Sequence, residues 1–115
     1  MDRRKELKEQ YKNSKPDMGV IIIKSEKSRK CYLEATRNIK GAINKSQFTL
    51  DMGSHINKEL QKDWNELGAS SFKIMILEKL DYDENKQDHD YREELAILRL
   101  MCIEKLSEEG ILVYN

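Results

Sequence analysis

The chain has 115 residues, of which 38% are hydrophobic, so it can fold as one domain with a modest core and has no room for a second folding unit. Its 21 Lys and Arg residues balance its 21 Asp and Glu residues, but the charges are unevenly distributed. Residues 1–45 hold 13 basic and 6 acidic side chains, and residues 46–115 hold 8 basic and 15 acidic ones. This asymmetry is typical either of a surface for nucleic acid or an acidic partner, or of two halves that attract each other.

Several classes of protein are excluded by the sequence. The apolar runs are too short to span a membrane, and the amino terminus is charged from its second residue, without the apolar segment of a secretory signal. We therefore expect a cytoplasmic protein that contacts no membrane. Cys31 and Cys102 have no Cys or His neighbour at metal-ligand spacing, so the sequence predicts no zinc site and two small, buried, apolar side chains.

The first third of the chain predicts a helix and a β-hairpin. Residues 2–12 are rich in helix formers, and we assign residues 1–17 to an N-terminal helical extension that precedes a domain over residues 18–115. Residues 18–24 are dense in β-branched side chains and indicate a buried strand. A polar turn over residues 25–29 leads into a second strand over residues 30–35.

Two helices and a third strand follow. Asn38 is suited to cap a helix that extends to about Leu50, and Asn57 to cap a helix over Lys58–Leu67 that Gly68 ends. Residues 71–79 alternate as a strand does and are apolar enough to be partly covered on both faces.

The last helix is expected at about residues 91–106, after an acidic loop over residues 81–90. From Leu95 to Ile103 its one charged residue is Arg99, so the helix must be covered on most sides, by the sheet and other helices or by a second subunit. Residues 111–115 form a short apolar tail that we expect to dock on the core.

One long phrase spans the second of the two capped helices and the third strand. It reads Ser54-His55-X-Asn57-Lys58-X-Leu60-Gln61-X-Asp63-Trp64-Asn65-X-X-Gly68-X-X-X-Phe72 and continues as Ile76-Leu77-Glu78. With the terminal pair Tyr114-Asn115, it resembles the GIY-YIG endonuclease superfamily over residues 18–115. The resemblance implies an α+β fold, with a small three-stranded antiparallel sheet flanked by helices. It also implies hydrolysis of a phosphodiester bond by two hairpin tyrosines, a helix arginine and a glutamate that holds one divalent metal ion.

Most positions that match these roles carry other residues. The resemblance places the first tyrosine at Ile21, the arginine at Ala42 and the metal-binding glutamate at Arg99 or, after a one-residue slip, at Leu100. A histidine found one turn after the arginine corresponds to Ser46, whereas His55 matches a histidine of some members, and Tyr32 keeps the second tyrosine. Removal of one electrostatic stabiliser typically costs about 10²–10³ in rate. The sequence therefore predicts a catalytically impaired member without a metal ligand set, in which Tyr32 is the one catalytic position that matches.

Substitutes for the lost groups can be named. Arg37 or Lys40 could approach a phosphate, and Glu34, Glu78 or Glu104 could supply a carboxylate to a metal ion. Arg99 could reach out beside the sheet, pair with a nearby acid or stand as a fixed cation at the former metal position, and of these the sequence favours the salt bridge.

We interpret the chain as a nucleic-acid-binding or interaction module. The residues expected to bind nucleic acid are Lys24, Lys27, Arg29, Lys30, Arg37 and Lys40. Two alternatives remain at this point: a divergent endonuclease that requires Mg²⁺, and a structural homodimer formed through the helix at residues 91–106. No cofactor is expected unless the endonuclease alternative holds.

Overall fold

The computed structural model describes residues 15–86 and 88–114, and the predicted helix at residues 2–12 lies outside them. The elements are β1 (Met18–Ser25), β2 (Lys30–Thr36), α1 (Ile39–Asp51), α2 (Lys58–Leu67), β3 (Phe72–Leu80), α3 (Arg92–Glu108) and β4 (Leu112–Val113). A short 3₁₀ turn, Ala69–Ser71, joins α2 to β3. The hairpin, the helices and the third strand are confirmed, with ends within two residues of those predicted.

The central strand β1 carries the core because both of its faces are buried. Val20 and Ile22 pack on the α3 side, and Ile21 and Ile23 pack on the side of α1 and α2. Such a strand needs a continuous apolar run, which explains why the sequence shows no alternation here. The sheet is therefore a layer between two helical layers.

Glycine is required at one position of β1. A Cβ atom on Gly19 would lie 2.1 Å from the main-chain oxygen of Glu78 on β3. The pairing of β1 and β3 shifts register between Val20 and Ile21, beside this close approach. The two main chains can come this close because residue 19 has no side chain.

Both predicted helix caps are confirmed. The Asn38 side chain accepts a hydrogen bond from the Gly41 amide, and the Asn57 side chain accepts one from the Leu60 amide. Gly68 ends α2 with a φ of 88°, in the region that favours glycine. Each cap satisfies an amide that the first turn of a helix leaves without an intrahelical partner.

The sheet has four strands, so the prediction of a three-stranded antiparallel sheet is wrong in this detail. The strand order is β3-β1-β2-β4, and β4 pairs with β2 in parallel. The apolar tail docks by main-chain hydrogen bonds, from the Leu112 amide to the Arg29 oxygen and from the Tyr114 amide to the Cys31 oxygen. A strand of two residues has no side-chain period, so the sequence pattern does not reveal it.

One expectation about coverage is confirmed and another is corrected. Both faces of β3 are partly covered, since Ile74 packs on the side of α2 and Leu77 on the side of α3, although Met75 and Ile76 of this edge strand are 42% and 45% exposed. The helix α3 buries Leu95 and packs one side on the sheet, but Leu100 and other apolar side chains of its outer side face solvent. Cys31 is fully buried as predicted, whereas Cys102 is partly buried. Among the described residues, no helix has the length and hydropathy needed to cross a membrane.

Candidate functional site

Tyr32, the retained tyrosine, lies on the sheet face that α1 and α2 cover. Its ring meets the His55 ring edge-on, with 5.1 Å between the ring centroids. Burial raises the pKa of Tyr32, the Glu34 charge raises it further, and the positive charge of Arg99 opposes both. Tyr32 is therefore a protonated, half-buried hydroxyl at neutral pH, with a carboxylate and a guanidinium near it.

Ile21 of β1 and Ala42 of α1 pack together on the same face of the sheet as Tyr32. Ile21 is fully buried and packs in one cluster with Ala42, Ile39 and Ile43. The structure thus brings together the two positions where the family resemblance implies a tyrosine and an arginine, and it fills the space between them with hydrocarbon. Neither side chain can accept a proton or donate a hydrogen bond.

His55 is buried, and hydrogen bonds fix both its main chain and its ring. Its amide donates to the Gln61 side chain at 2.9 Å, and its Nδ1 accepts a hydrogen bond from the Asn57 amide at 3.0 Å. A neutral ring whose Nδ1 accepts carries its proton on Nε2. Burial lowers the pKa of His55, and the nearby Lys45 charge acts in the same direction. His55 is therefore a neutral ring at pH 7, and Asn57, not His55, caps α2.

Glu34 follows Tyr32 by two residues on β2, so both side chains lie on the same face of the sheet. Its main chain pairs with Ile21 of β1. Burial raises the pKa of Glu34, and Lys45 on α1 opposes this shift. Of the three substitute carboxylates named from the sequence, Glu34 is the one whose charge acts on Tyr32.

Arg99 reaches from α3 to β2. Its Nε donates a hydrogen bond of 3.0 Å to the main-chain oxygen of Leu33, which lies beyond the two residues of β2 that β4 covers. The salt bridge expected for Arg99 is therefore wrong, since its contact within the described residues is with a carbonyl group. The slip that would place Leu100 at the same position receives no support, because Leu100 is 61% exposed.

A cleft of about 480 Å³ opens between β2 and the first two turns of α3. The residues that line it include three arginines together with the retained tyrosine and its neighbouring carboxylate: Arg37, Arg92, Arg99, Tyr32 and Glu34. We call it the arginine cleft. The sequence gives no signal for Arg92 within the apolar run, because Arg92 precedes it, yet the spacing of seven from Arg99 places both residues on one side of α3.

The other basic residues predicted to bind nucleic acid do not join this cleft. Lys24 and Arg29 line a separate groove at the turn end of the hairpin, beside Lys73 of β3, and Lys27 is exposed in that turn. Lys30 forms an ion pair of 3.2 Å with Glu59 and lies over the Tyr114 ring. Lys40 lines a third cavity, at the start of α1. Lys24, Arg29 and Lys40 therefore line cavities other than the arginine cleft.

The described residues do not fit a magnesium site. Mg²⁺ prefers several oxygen ligands, usually carboxylates with water. Among the described residues, no group of three His, Cys, Asp or Glu side chains is arranged to hold a metal ion. The residues that line the arginine cleft include three arginines and one carboxyl residue, Glu34, and guanidinium groups favour an anion.

Comparisons with known proteins identify the fold. No protein-family model matches the sequence, and a search of curated proteins finds no match. Among solved structures, the chain is similar to the catalytic domain of the homing endonuclease I-TevI, with a TM-score of 0.65 and 22% sequence identity over 85% of this chain and 96% of that one. A mutant form of the same catalytic domain matches with a TM-score of 0.63 and 20% identity, over 86% of this chain and 92% of that one. The fold implied by the resemblance to the GIY-YIG superfamily is therefore confirmed.

Proposed function

We propose that this chain, which has the fold of the I-TevI catalytic domain, binds the phosphodiester backbone of nucleic acid in the arginine cleft without hydrolysing it efficiently. The observation that carries the proposal is the convergence of Arg37, Arg92 and Arg99 on one cleft beside Tyr32. Guanidinium groups bind phosphate oxygens with two parallel hydrogen bonds and keep their charge at every physiological pH.

The geometry of Arg99 supports a role in binding. Its Nε is occupied by the Leu33 oxygen, which orients the guanidinium, and its two terminal nitrogens have no hydrogen bond to the part of the chain that the structure describes and can donate to a ligand. Because the side chain is already held, less side-chain entropy is lost when a phosphate binds. Arg37 and Arg92 are exposed and can approach the same anion from the end of β2 and the start of α3.

The buried cluster of Ile21 and Ala42 supports the second half of the proposal, the loss of efficient hydrolysis. Cleavage of a phosphodiester needs a group that activates water and fixed positive charge at the scissile phosphate. Ile21 and Ala42 provide neither, and the positive charge at Arg99 disfavours a metal ion at that place. The proposal includes two further points. Tyr32 and Arg99 occupy positions of an active site that has lost its other groups, and the protein is cytoplasmic.

A divergent endonuclease is the second candidate, and one observation favours it. Glu34, Tyr32 and His55 form a continuous group of polar side chains on one sheet face. Such a group could take part in proton transfer if a metal ion were supplied with the substrate.

One experiment separates the two candidates. Supercoiled plasmid, single-stranded DNA and structured RNA are incubated with the protein and Mg²⁺ or Mn²⁺, and the same nucleic acids are titrated by fluorescence anisotropy in EDTA at several salt concentrations. We expect binding that weakens steeply with salt, without cleavage. Metal-dependent cleavage that Tyr32→Phe abolishes would establish the endonuclease instead, and absence of binding at low salt would contradict both.

A further inference from the structure

The outer side of α3 carries an apolar stripe that no described residue covers. Ile97, Leu100 and Met101 are 52%, 61% and 61% exposed. Their spacing of three and four residues places them on one side of the helix. Leu98 and Leu106 pack against the sheet on the opposite side. An exposed stripe of large apolar side chains on a small domain marks an interaction surface.

Acidic side chains extend this stripe at both ends. Glu93 lies one turn before Ile97, and Glu104 and Glu108 lie one and two turns after Leu100. All three are exposed. Of the basic residues of α3, Arg92 and Arg99 line the arginine cleft, whereas Lys105 is exposed one turn after Met101, at the edge of the apolar side chains. The surface is therefore apolar in the middle and carries a net negative charge at its ends, and we call it the α3 stripe.

We propose that the α3 stripe binds a basic amphipathic helix of a partner protein. The apolar side chains of such a helix, spaced by three or four residues, would pack on Ile97, Leu100 and Met101. Its Lys or Arg side chains would meet Glu93, Glu104 and Glu108. This is the mode in which an amphipathic helix lays its apolar side on a complementary surface. It is a second binding function, independent of nucleic-acid binding in the arginine cleft.

The same charges disfavour a second copy of this chain as the occupant. If two α3 helices packed antiparallel about Leu100 and Met101, Glu93 of one copy would lie opposite Glu108 of the other, and Glu104 would lie opposite Ile97. Parallel packing would place each glutamate beside its own equivalent. Like charges across an interface select against a partner. The homodimer, one of the two alternatives left by the sequence, therefore becomes an outcome that the experiment must exclude.

The test uses two synthetic peptides of about 20 residues, a length at which a helix can form in water. The first is an amphipathic helix with leucines along one side and lysines along its flanks. The second has the same composition in an order that distributes the leucines around the helix. Dissociation constants are measured by fluorescence anisotropy with the full-length protein. We expect the first peptide to bind at least about tenfold more tightly than the second, because the second keeps the charge but loses the apolar side.

Variants of the protein then locate the binding surface. Leu100→Gln together with Met101→Gln is expected to weaken binding of the first peptide about tenfold, since Gln keeps the helix but removes the apolar anchors. Glu93→Gln with Glu104→Gln is expected to reduce the salt dependence of binding. Lys62→Gln, at an exposed position of α2 away from the stripe, serves as the control and should leave the affinity unchanged. Circular dichroism melting of each variant confirms that it is folded.

Four results would overturn the proposal. The first is equal binding of the two peptides, and the second is unchanged affinity in the Leu100/Met101 variant. The third is a concentration-dependent dimer in sedimentation that this variant converts to a monomer, which would make a second copy the occupant. The fourth is tighter peptide binding after Leu7→Ser with Tyr11→Ser, which would make the basic N-terminal residues of the chain itself the occupant. Arg99→Met changes the arginine cleft and leaves the residues of the α3 stripe unchanged, so this variant should lose nucleic-acid binding and keep peptide binding. Failure of this proposal and failure of the proposed nucleic-acid binding are therefore distinguishable.

Discussion

Arg99 on α3 is joined to Leu33 on β2 by a hydrogen bond of 3.0 Å from Nε to the main-chain oxygen. This bond holds a permanent positive charge beside the retained Tyr32, where it partly opposes the rise that burial causes in the pKa of Tyr32. The charge stands at the position that the family resemblance assigns to a metal-binding glutamate. Under the proposed function, this position attracts an anion where the family resemblance implies a bound cation.

The first prediction concerns this charge. Arg99→Met keeps the length and helix preference of the side chain but removes the guanidinium. We expect the affinity for a 20-nucleotide DNA to fall about tenfold and the slope of log K against log salt to decrease by about one, as expected for loss of one phosphate contact. Fluorescence anisotropy at four salt concentrations measures both quantities.

Two comparison variants accompany Arg99→Met. Arg99→Lys keeps the charge without the planar fork, so it should retain the salt slope but lose part of the affinity. Lys105→Gln removes an exposed charge from the same helix outside the cleft and should bind DNA as the wild type does. If all three variants bind alike, the arginine cleft is not the binding site.

The second prediction concerns restoration of the tyrosine that the resemblance assigns to Ile21. Ile21 is fully buried against Ile39 and Ala42, so Ile21→Tyr overpacks the cluster and should lower the free energy of unfolding by about 1–3 kcal/mol. Urea denaturation measures the change. Ile76 pairs with Ile21 across β1 and β3 but is 45% exposed, so Ile76→Tyr should change stability by less than about 0.5 kcal/mol. Equal stability of the two variants would show that the cluster has room for a phenol.

The third prediction is a pH dependence of stability caused by His55. Burial lowers the pKa of His55 in the folded chain below its ordinary value of 6.5. Between the folded pKa and 6.5 the unfolded chain binds more protons, so the free energy of unfolding rises with pH across this window. The contribution is present above pH 6.5 and is lost as pH falls through the folded pKa, at no more than about 1.4 kcal/mol per pH unit.

His55→Asn tests this dependence because its side-chain oxygen can replace Nδ1 as the acceptor for the Asn57 amide. Denaturant unfolding at pH values from 5 to 8 should give a smaller slope in the variant than in the wild type. An NMR titration of the His55 ring in the wild type gives its folded pKa directly, and a value at or above 6.5 would contradict the assignment.

The fourth prediction compares two glycines. Gly19→Ala places a methyl group 2.1 Å from the Glu78 oxygen, which forces β1 and β3 apart and should cost more than about 2 kcal/mol. Gly53 also has a positive φ, of 75°, but an added Cβ there meets no atom within 4 Å. Gly53→Ala should therefore cost about 1 kcal/mol, from the left-handed conformation alone. A thermal melt of each variant distinguishes the two costs, and the reverse order would contradict the close approach at Gly19.

Local signals in the sequence were sufficient for most of the elements. The β-branched run of β1, the caps Asn38 and Asn57 and the terminator Gly68 each act within a few residues, so their effect can be read without knowledge of the fold. The sequence does not predict the fourth strand, because β4 is defined by its hydrogen bonds to β2 and not by any pattern within its two residues.

In the candidate site, too, some features follow from the sequence and others only from the tertiary structure. The sequence by itself determined that Tyr32 matches a tyrosine implied by the resemblance and that other residue types, at Ile21, Ala42 and Arg99, stand where the resemblance implies catalytic groups, because residue types and their spacing are sufficient for that comparison. The tertiary structure decided which basic residues line one cleft. Arg37, Arg92 and Arg99 do so because α3 packs beside β2, whereas Lys24, Lys30 and Lys40 lie on other surfaces, at the hairpin and the start of α1. It also decided that one side of α3 stays exposed, since a sheet covers only the side of a helix that packs on it, however apolar the remaining side chains are.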